Sequence, residues 1–142
     1  MVIGIIGENC TGKSTIAEKL KNQIGGEIYT GKDYLRMGKN DSIALKLFQK
    51  KLTEAVNVEN IIYVISEQEH ISLLPEKAVR ILVTEDLEQI KKRFSQRMHG
   101  NLPAPVAAML EKNHGCFDNI EHDIHIVSGV YDLNEVCADI QN

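Results

Sequence analysis

"VIGIIGENCTGKSTIAEKL", Val2 to Leu20, passes from an apolar run through a glycine-bearing turn into a helical pattern, and its reading decides the fold. Val2 to Ile6 is short, apolar and rich in β-branched residues, which predicts a buried strand. From about Lys13 to Ile24 the residues Ile16, Ala17, Leu20 and Ile24 share one helical face, and Gly25-Gly26 stops the pattern. Between strand and helix lies "GENCTGKS", Gly7 to Ser14, which satisfies G-x-x-x-x-G-K-[ST] in the setting that this pattern requires. Given the average abundance of glycine, the four fixed positions coincide by chance in well under about one chain in a hundred of this length.

The residue types suit a cradle for nucleotide phosphates. Gly7 and Gly12 permit backbone conformations and a close approach that a Cβ blocks, so that consecutive amides can face phosphate oxygens. The candidate binding set is Gly7, Glu8, Asn9, Cys10, Thr11, Gly12, Lys13, Ser14 and Thr15, with the N-terminus of the helix adding its partial positive charge. Lys13 is expected at the β- and γ-phosphates and Ser14 on Mg²⁺, the metal-binding position of the motif. Cys10 sits where a helix N-terminus favours a thiolate. The simpler expectation is a free position of the loop that contributes only its amide.

Further along, Glu27 to Tyr29, Ile61 to Ile65, Val79 to Val83 and Ile124 to Val127 read as strands. Capping residues Asn40-Asp41-Ser42 open a helix with Ala44, Leu47, Phe48, Leu52, Ala55 and Val56 inward. Thr84 to Asp86 opens another, with Leu87, Ile90, Phe94 and Met98 at helical spacing; Pro105 to His114 is a shorter one, ended by Gly115. A terminal helix starts at Asp132, where Glu135 gives a capping-box spacing, and buries Leu133, Val136 and Ile140. Five strands alternating with helices predict an α/β fold, a parallel sheet covered on both faces in three layers, with its ligands at the carboxyl ends of the strands.

The totals fit this picture. A chain of 142 residues, 43% hydrophobic and 25% charged, suits one globular domain over 1–142 without disulfide or metal staples. A net charge of -4 argues against nucleic acid as a partner and leaves room for a local basic pocket. No apolar run approaches the roughly 18 residues of a membrane span, and no charged, cleavable leader precedes the first strand, so no membrane partner and a cytoplasmic location are expected. Cys10, Cys116 and Cys137 lack paired spacing and read as reduced thiols. The segment "HGCFDNIEHDIH", His114 to His125, has a metal-like composition, but its spacing matches no structural zinc pattern; a loop between helix and strand is the expectation. The oligomeric state stays open.

Among proteins with such a loop, switch GTPases need N-K-x-D and D-x-x-G, and the chain has neither. Three stretches instead resemble the nucleoside-monophosphate-kinase-like group of P-loop NTPases, which includes adenylate, shikimate and gluconate kinases. They are the N-terminal loop itself, "IYTGKDYLR" from Ile28 to Arg36, and "RFSQRMHGNLP" from Arg93 to Pro103, where Arg93 and Arg97 precede a short interruption. The resemblance implies a five-stranded parallel sheet in the order 2-3-1-4-5 and a short lid at about 98–118. It also implies ATP and Mg²⁺ as cofactors and phosphoryl transfer to a small acceptor, a nucleotide or a hydroxy compound.

Arg93 and Arg97 are four apart and share a helical face, where planar donors can stabilise charge on a transferring group. With Lys91 and Lys92 beside them, a solvated basic face is the competing reading. Arg80 begins its strand, away from the site, and reads as structural. By the resemblance, Arg36 would grip a phosphate on the acceptor, or Asp33 would orient or deprotonate an acceptor hydroxyl. Both could equally be capping and surface charge. After the third strand the chain reads "VISEQEH", unlike the D-G-F-P-R or G-G-G runs of those kinases, and Glu67 is the candidate there for the acceptor or an outer-shell Mg²⁺ role. That departure keeps open a nucleotide-binding module without transfer, or a simple NTPase.

Overall fold

In the computed structural model, residues 1–141 are described; Asn142, the last residue of the expected domain, lies outside the described residues. The elements run β1 (Val2–Ile6), α1 (Lys13–Ile24), β2 (Glu27–Thr30), α2 (Asp41–Ala55), β3 (Ile61–Ile65), β4 (Val79–Thr84), α3 (Leu87–Arg97), α4 (Ala104–Asn113), β5 (Ile124–Val127) and α5 (Leu133–Gln141). All four strand pairings are parallel and the sheet order is β2-β3-β1-β4-β5, as expected. Ile6 pairs with Ile65 on one side and Leu82 on the other, so the carboxyl ends of the three central strands lie side by side.

The period of two in a strand explains the layers. Ile61, Tyr63 and Ile65 of β3 join Val2 and Ile6 of β1 in one core, against Phe48, Leu52 and Ala55 of α2. Ile62 and Val64 join Ile3 and Ile5 in the other, against Ile16, Ala17 and Leu20 of α1 and Val136 and Ile140 of α5. A central strand serves both faces, which is why β1 and β3 are apolar throughout.

The helix starts follow their caps. Asn40 Oδ1 accepts from the Ile43 N–H at 2.9 Å, and Asp86 Oδ1 accepts from the Gln89 N–H at 2.9 Å. At α5, Asp132 Oδ1 accepts from the Asn134 N–H at 2.9 Å, a cap one residue nearer than the expected capping box.

Some inward faces differ from expectation. Leu47 is 42% exposed, because Ala44, Phe48 and Leu52 form the inward stripe of α2 and Leu47 sits about 100° round the helix from Phe48. Of the α3 stripe only Ile90 is fully buried. Two short 3₁₀ segments, Asp33–Met37 and Gln68–Leu73, follow β2 and β3. They are too short for any periodicity to announce. Arg80 is structural as read, its guanidinium donating to the carbonyls of Pro75, Glu76 and Ala78. Among the described residues no helix is long and apolar enough to cross a membrane.

Candidate phosphate-binding site

The loop between β1 and α1 is pinned at its start, where the Gly7 N–H donates to the Ile65 carbonyl at 3.1 Å. A Cβ at Gly7 would stand 2.5 Å from the Val83 carbonyl oxygen, backbone that cannot give way, so only glycine fits between β1 and β4. Two turns of left-handed backbone, Cys10 at φ 64 and Gly12 at φ 87, then bend the chain round. For Gly12 this conformation carries no steric cost; for Cys10 it costs on the order of 1–3 kcal/mol and persists only because its surroundings impose it. Those surroundings are specific. The Cys10 side chain is 5% exposed and packs with Ile90 and Leu110, and its carbonyl accepts from Arg93 Nη1 at 3.1 Å.

At the head of α1 no side chain caps the free N–H groups and the first turn holds no acid. The end of the helix therefore keeps donors and a positive dipole for an anion. Ser14 and Thr15 lie exposed beside it. Lys13 is folded back: its Nζ donates to the Glu8 carbonyl at 2.5 Å and reaches Thr11 Oγ1 at 3.5 Å, and Thr11 Oγ1 itself donates to the same carbonyl at 2.8 Å. Burial pushes the Lys13 ammonium down to about 8; nearby Cys10 and Glu8 oppose this and Arg97 reinforces it.

A cleft of about 1060 Å³ opens beside the loop, bounded by Cys10, Gly12, Thr15 and Lys19 on one side and by Arg93, Gln96 and Arg97 on the other, with Ser128 and Tyr131 across. Arg93 is held rigidly, with Nη2 3.2 Å from Glu85 Oε2 and Nη1 donating to Ser128 Oγ at 3.2 Å. Arg97 is exposed in the same cleft. Both arginines therefore line the cleft beside the loop, Arg93 tied to Cys10, Glu85 and Ser128 and Arg97 exposed to solvent. Lys19 donates to the Tyr131 hydroxyl at 3.2 Å.

On the other side of the loop, Asp33 Oδ2 accepts from the Thr30 N–H at 2.8 Å and so caps the turn after β2. Arg36 Nε donates to the Asp33 carbonyl at 3.3 Å and its guanidinium is exposed. Glu67 follows β3 and is exposed. The Tyr63 hydroxyl donates to the Gly31 carbonyl at 2.7 Å, inside the turn that Asp33 caps, and its phenol is pushed up first by burial and then by the charges of Tyr34, Glu67, Asp33 and Glu69.

Sequence reasoning missed several contacts. The Glu8 carboxylate accepts from the Gly115 N–H at 3.2 Å and lies 3.1 Å from His114 Nδ1, tying the phosphate loop to the end of α4. Gln68 Nε2 donates to the Cys116 carbonyl at 2.7 Å. Ser128 directly follows β5 and Tyr131 comes three residues later, and the rule that ligands bind at carboxyl ends of strands was the signal that could have found them. The histidine-bearing segment behaves as the expected loop: His125 Nε2 pairs with Thr84 Oγ1 at 2.8 Å and His122 Nδ1 with the Ile120 carbonyl at 2.9 Å.

No family model matches the chain, and no curated protein matches it in sequence. Solved structures do match in fold. An uncharacterized protein from Eubacterium ventriosum superposes with a TM-score of 0.68 at 17% identity, over 100% of this chain and 99% of its own. A gluconokinase from Sinorhizobium meliloti gives 0.60 at 13%, over 98% and 88%, and a shikimate kinase from Aquifex aeolicus 0.57 at 14%, over 99% and 96%. The chain thus shares the fold of this gluconokinase and this shikimate kinase, with the five-stranded parallel sheet that the alternation of strands and helices predicted and the strand order that the resemblance implied.

Proposed function

We propose that the chain is an ATP-dependent small-molecule kinase, one P-loop domain whose 98–118 segment serves as a short lid. The observation that supports this most is the loop itself: left-handed Cys10 and Gly12 and the uncapped head of α1 border a cleft walled by Arg93 and Arg97, and the same loop carries the buried Lys13, folded back onto the Glu8 carbonyl. The residues fit a triphosphate, since glycine at Gly7 lets the loop start against the Val83 carbonyl, and the space a Cβ on Gly12 would enter opens toward Ser128 Oγ and Arg93 Nη1 in the cleft. Bound Mg²⁺-ATP supplies the phosphoryl group and a neutralising divalent charge. The loop amides from Gly7 to Thr15 bind and orient the phosphates, and the Ser14 hydroxyl is the ligand for the cation.

Lys13, Arg93 and Arg97 stabilise the charge on the transferring group. Arg93 is already held by Glu85 and Ser128 and costs little to order, while Arg97 is free to close down. Asp33, Arg36 and Glu67 form the acceptor side. One carboxylate oxygen of Asp33 is committed to Thr30, and the other can take a proton from an acceptor hydroxyl or orient it. A γ-labelled ATP assay with Mg²⁺ and pools of nucleotides, sugars and hydroxy acids tests the proposal. A labelled product is expected, and Lys13→Ala should reduce it by at least about a hundredfold. Tight ATP binding with no labelled product from any pool would favour a binding module, the reading that the unusual "VISEQEH" run keeps in play.

A further inference from the structure

The turn after β3 holds a group of side chains that the phosphate loop does not use. Glu67, Glu69 and His70 present their carboxylate and imidazole atoms within 4.8 Å of one another, the one such convergence of three metal-ligating groups among the described residues. His70 is the unusual member. Its side chain is 6% exposed, and its Nδ1 has no hydrogen-bond partner among the described residues. Its Nε2 points between the two carboxylates, 3.8 Å from Glu67 Oε2 and 3.8 Å from Glu69 Oε1, too long for hydrogen bonds.

A buried imidazole without partners costs free energy, and two carboxylates facing one another add repulsion. A cation between the three removes the repulsion and gives Nε2 the partner it lacks, while Nδ1 points away from the ion. Ligand bonds of about 2.1 Å span up to about 4.2 Å, so the 3.8 Å separations are already within reach, and both glutamates are exposed enough to rotate inward. The ring is held in place by Tyr34 and Tyr63, whose centroids lie 6.3 and 6.2 Å from it. One nitrogen with two carboxylates suits a first-row divalent transition ion rather than Mg²⁺, which prefers oxygen alone.

We infer that Glu67, Glu69 and His70 form a binding site for a first-row divalent transition cation, separate from the Ser14 position. The His70 ring lies 6.2 Å from that of Tyr63, whose hydroxyl donates to the Gly31 carbonyl in the turn that Asp33 caps. Its role in holding an oxygen-bearing acceptor rests on the kinase reading above; the binding of the ion does not.

The test is a Co²⁺ titration of the full chain without nucleotide, followed by visible absorption in the presence of excess Mg²⁺. One saturable site with nitrogen and oxygen ligation is expected. Glu69→Gln, at an exposed position that leaves the core intact, should weaken it at least about tenfold, and His70→Gln should do the same. Lys13→Ala, which stops phosphoryl transfer, should leave it unchanged, so that failure of the kinase reading is distinguishable from failure of this one. No saturable Co²⁺ binding, displacement by Mg²⁺, a spectrum of thiolate ligation alone, or equal affinity in both site variants would overturn the inference.

Discussion

With its Nζ on the Glu8 carbonyl and only 5% of the residue exposed, Lys13 is a cation kept partly out of water in readiness for an anion. Its folded value of about 8 lies below the 10.5 of a free lysine, which fixes the sign of two effects. Between these values the unfolded chain binds more protons than the folded one, so stability rises with pH across this window by up to roughly 3 kcal/mol. Below about 8 the full cost of burying the charge is present. Phosphate binds the protonated form, so ATP affinity should fall as pH rises from 7 to 9, and Lys13→Met should bind more weakly but with a flat profile. Calorimetric titration at several pH values checks this; a wild-type profile as flat as the variant's would remove the role of the ammonium. The motif announced Lys13, Gly7 and Gly12 because their chemistry is local. It could not announce Cys10, whose buried side chain and strained backbone are set by α3 and α4, some 80 to 100 residues away. Cys10→Ser places a hydroxyl in that apolar contact and should cost about 1–3 kcal/mol in chemical denaturation.

Among the elements, α1 ran over the residues the sequence predicted, because its apolar stripe and the glycines at both ends are local signals. α3 and α4 were legible as helices, but their contact was not. Ile90 and Leu110 meet across Cys10, with Leu87, Phe94, Leu102 and Val106 around them, so the 98–118 segment rests on the loop after β1 through one small apolar cluster. The Glu8 contacts to His114 and Gly115 add a polar tie at the far end of α4. Leu110→Ala opens a cavity in this cluster while leaving both main cores whole, and a cost of about 2–4 kcal/mol is expected. Because the cluster is separate, the loss should be local. Hydrogen exchange should speed up in residues 104–118 far more than in β1 or β3, and uniform acceleration over the sheet would show that this segment is not a separable unit.

At the scale of the molecule, the alternation of strands and helices dictates the parallel sheet, and burial on both faces of β1 and β3 dictates their continuous apolar runs. Strand order was supplied by the resemblance, since periodicity carries no information on which strand lies beside which. The same holds for the candidate site: its loop is contiguous in sequence, whereas the cleft joins residues 10–19, 93–97 and 128–133 only through the fold. That division makes a prediction about the whole chain. A ligand that binds only the folded state stabilises it by RT ln(1 + [L]/Kd), about 2.7 kcal/mol at a hundredfold excess over Kd, which for a chain of this size is a rise of roughly 8 °C in Tm. If the loop supplies most of the binding, ATP with Mg²⁺ should give this rise and AMP at the same concentration much less, because AMP lacks the phosphates that the α1 N-terminus and Lys13 engage. Lys13→Ala should bring the two shifts close together. Equal shifts for ATP and AMP in the unmodified chain would mean that the cleft lined by Gln96, Ser128 and Tyr131, and not the phosphate loop, dominates nucleotide binding.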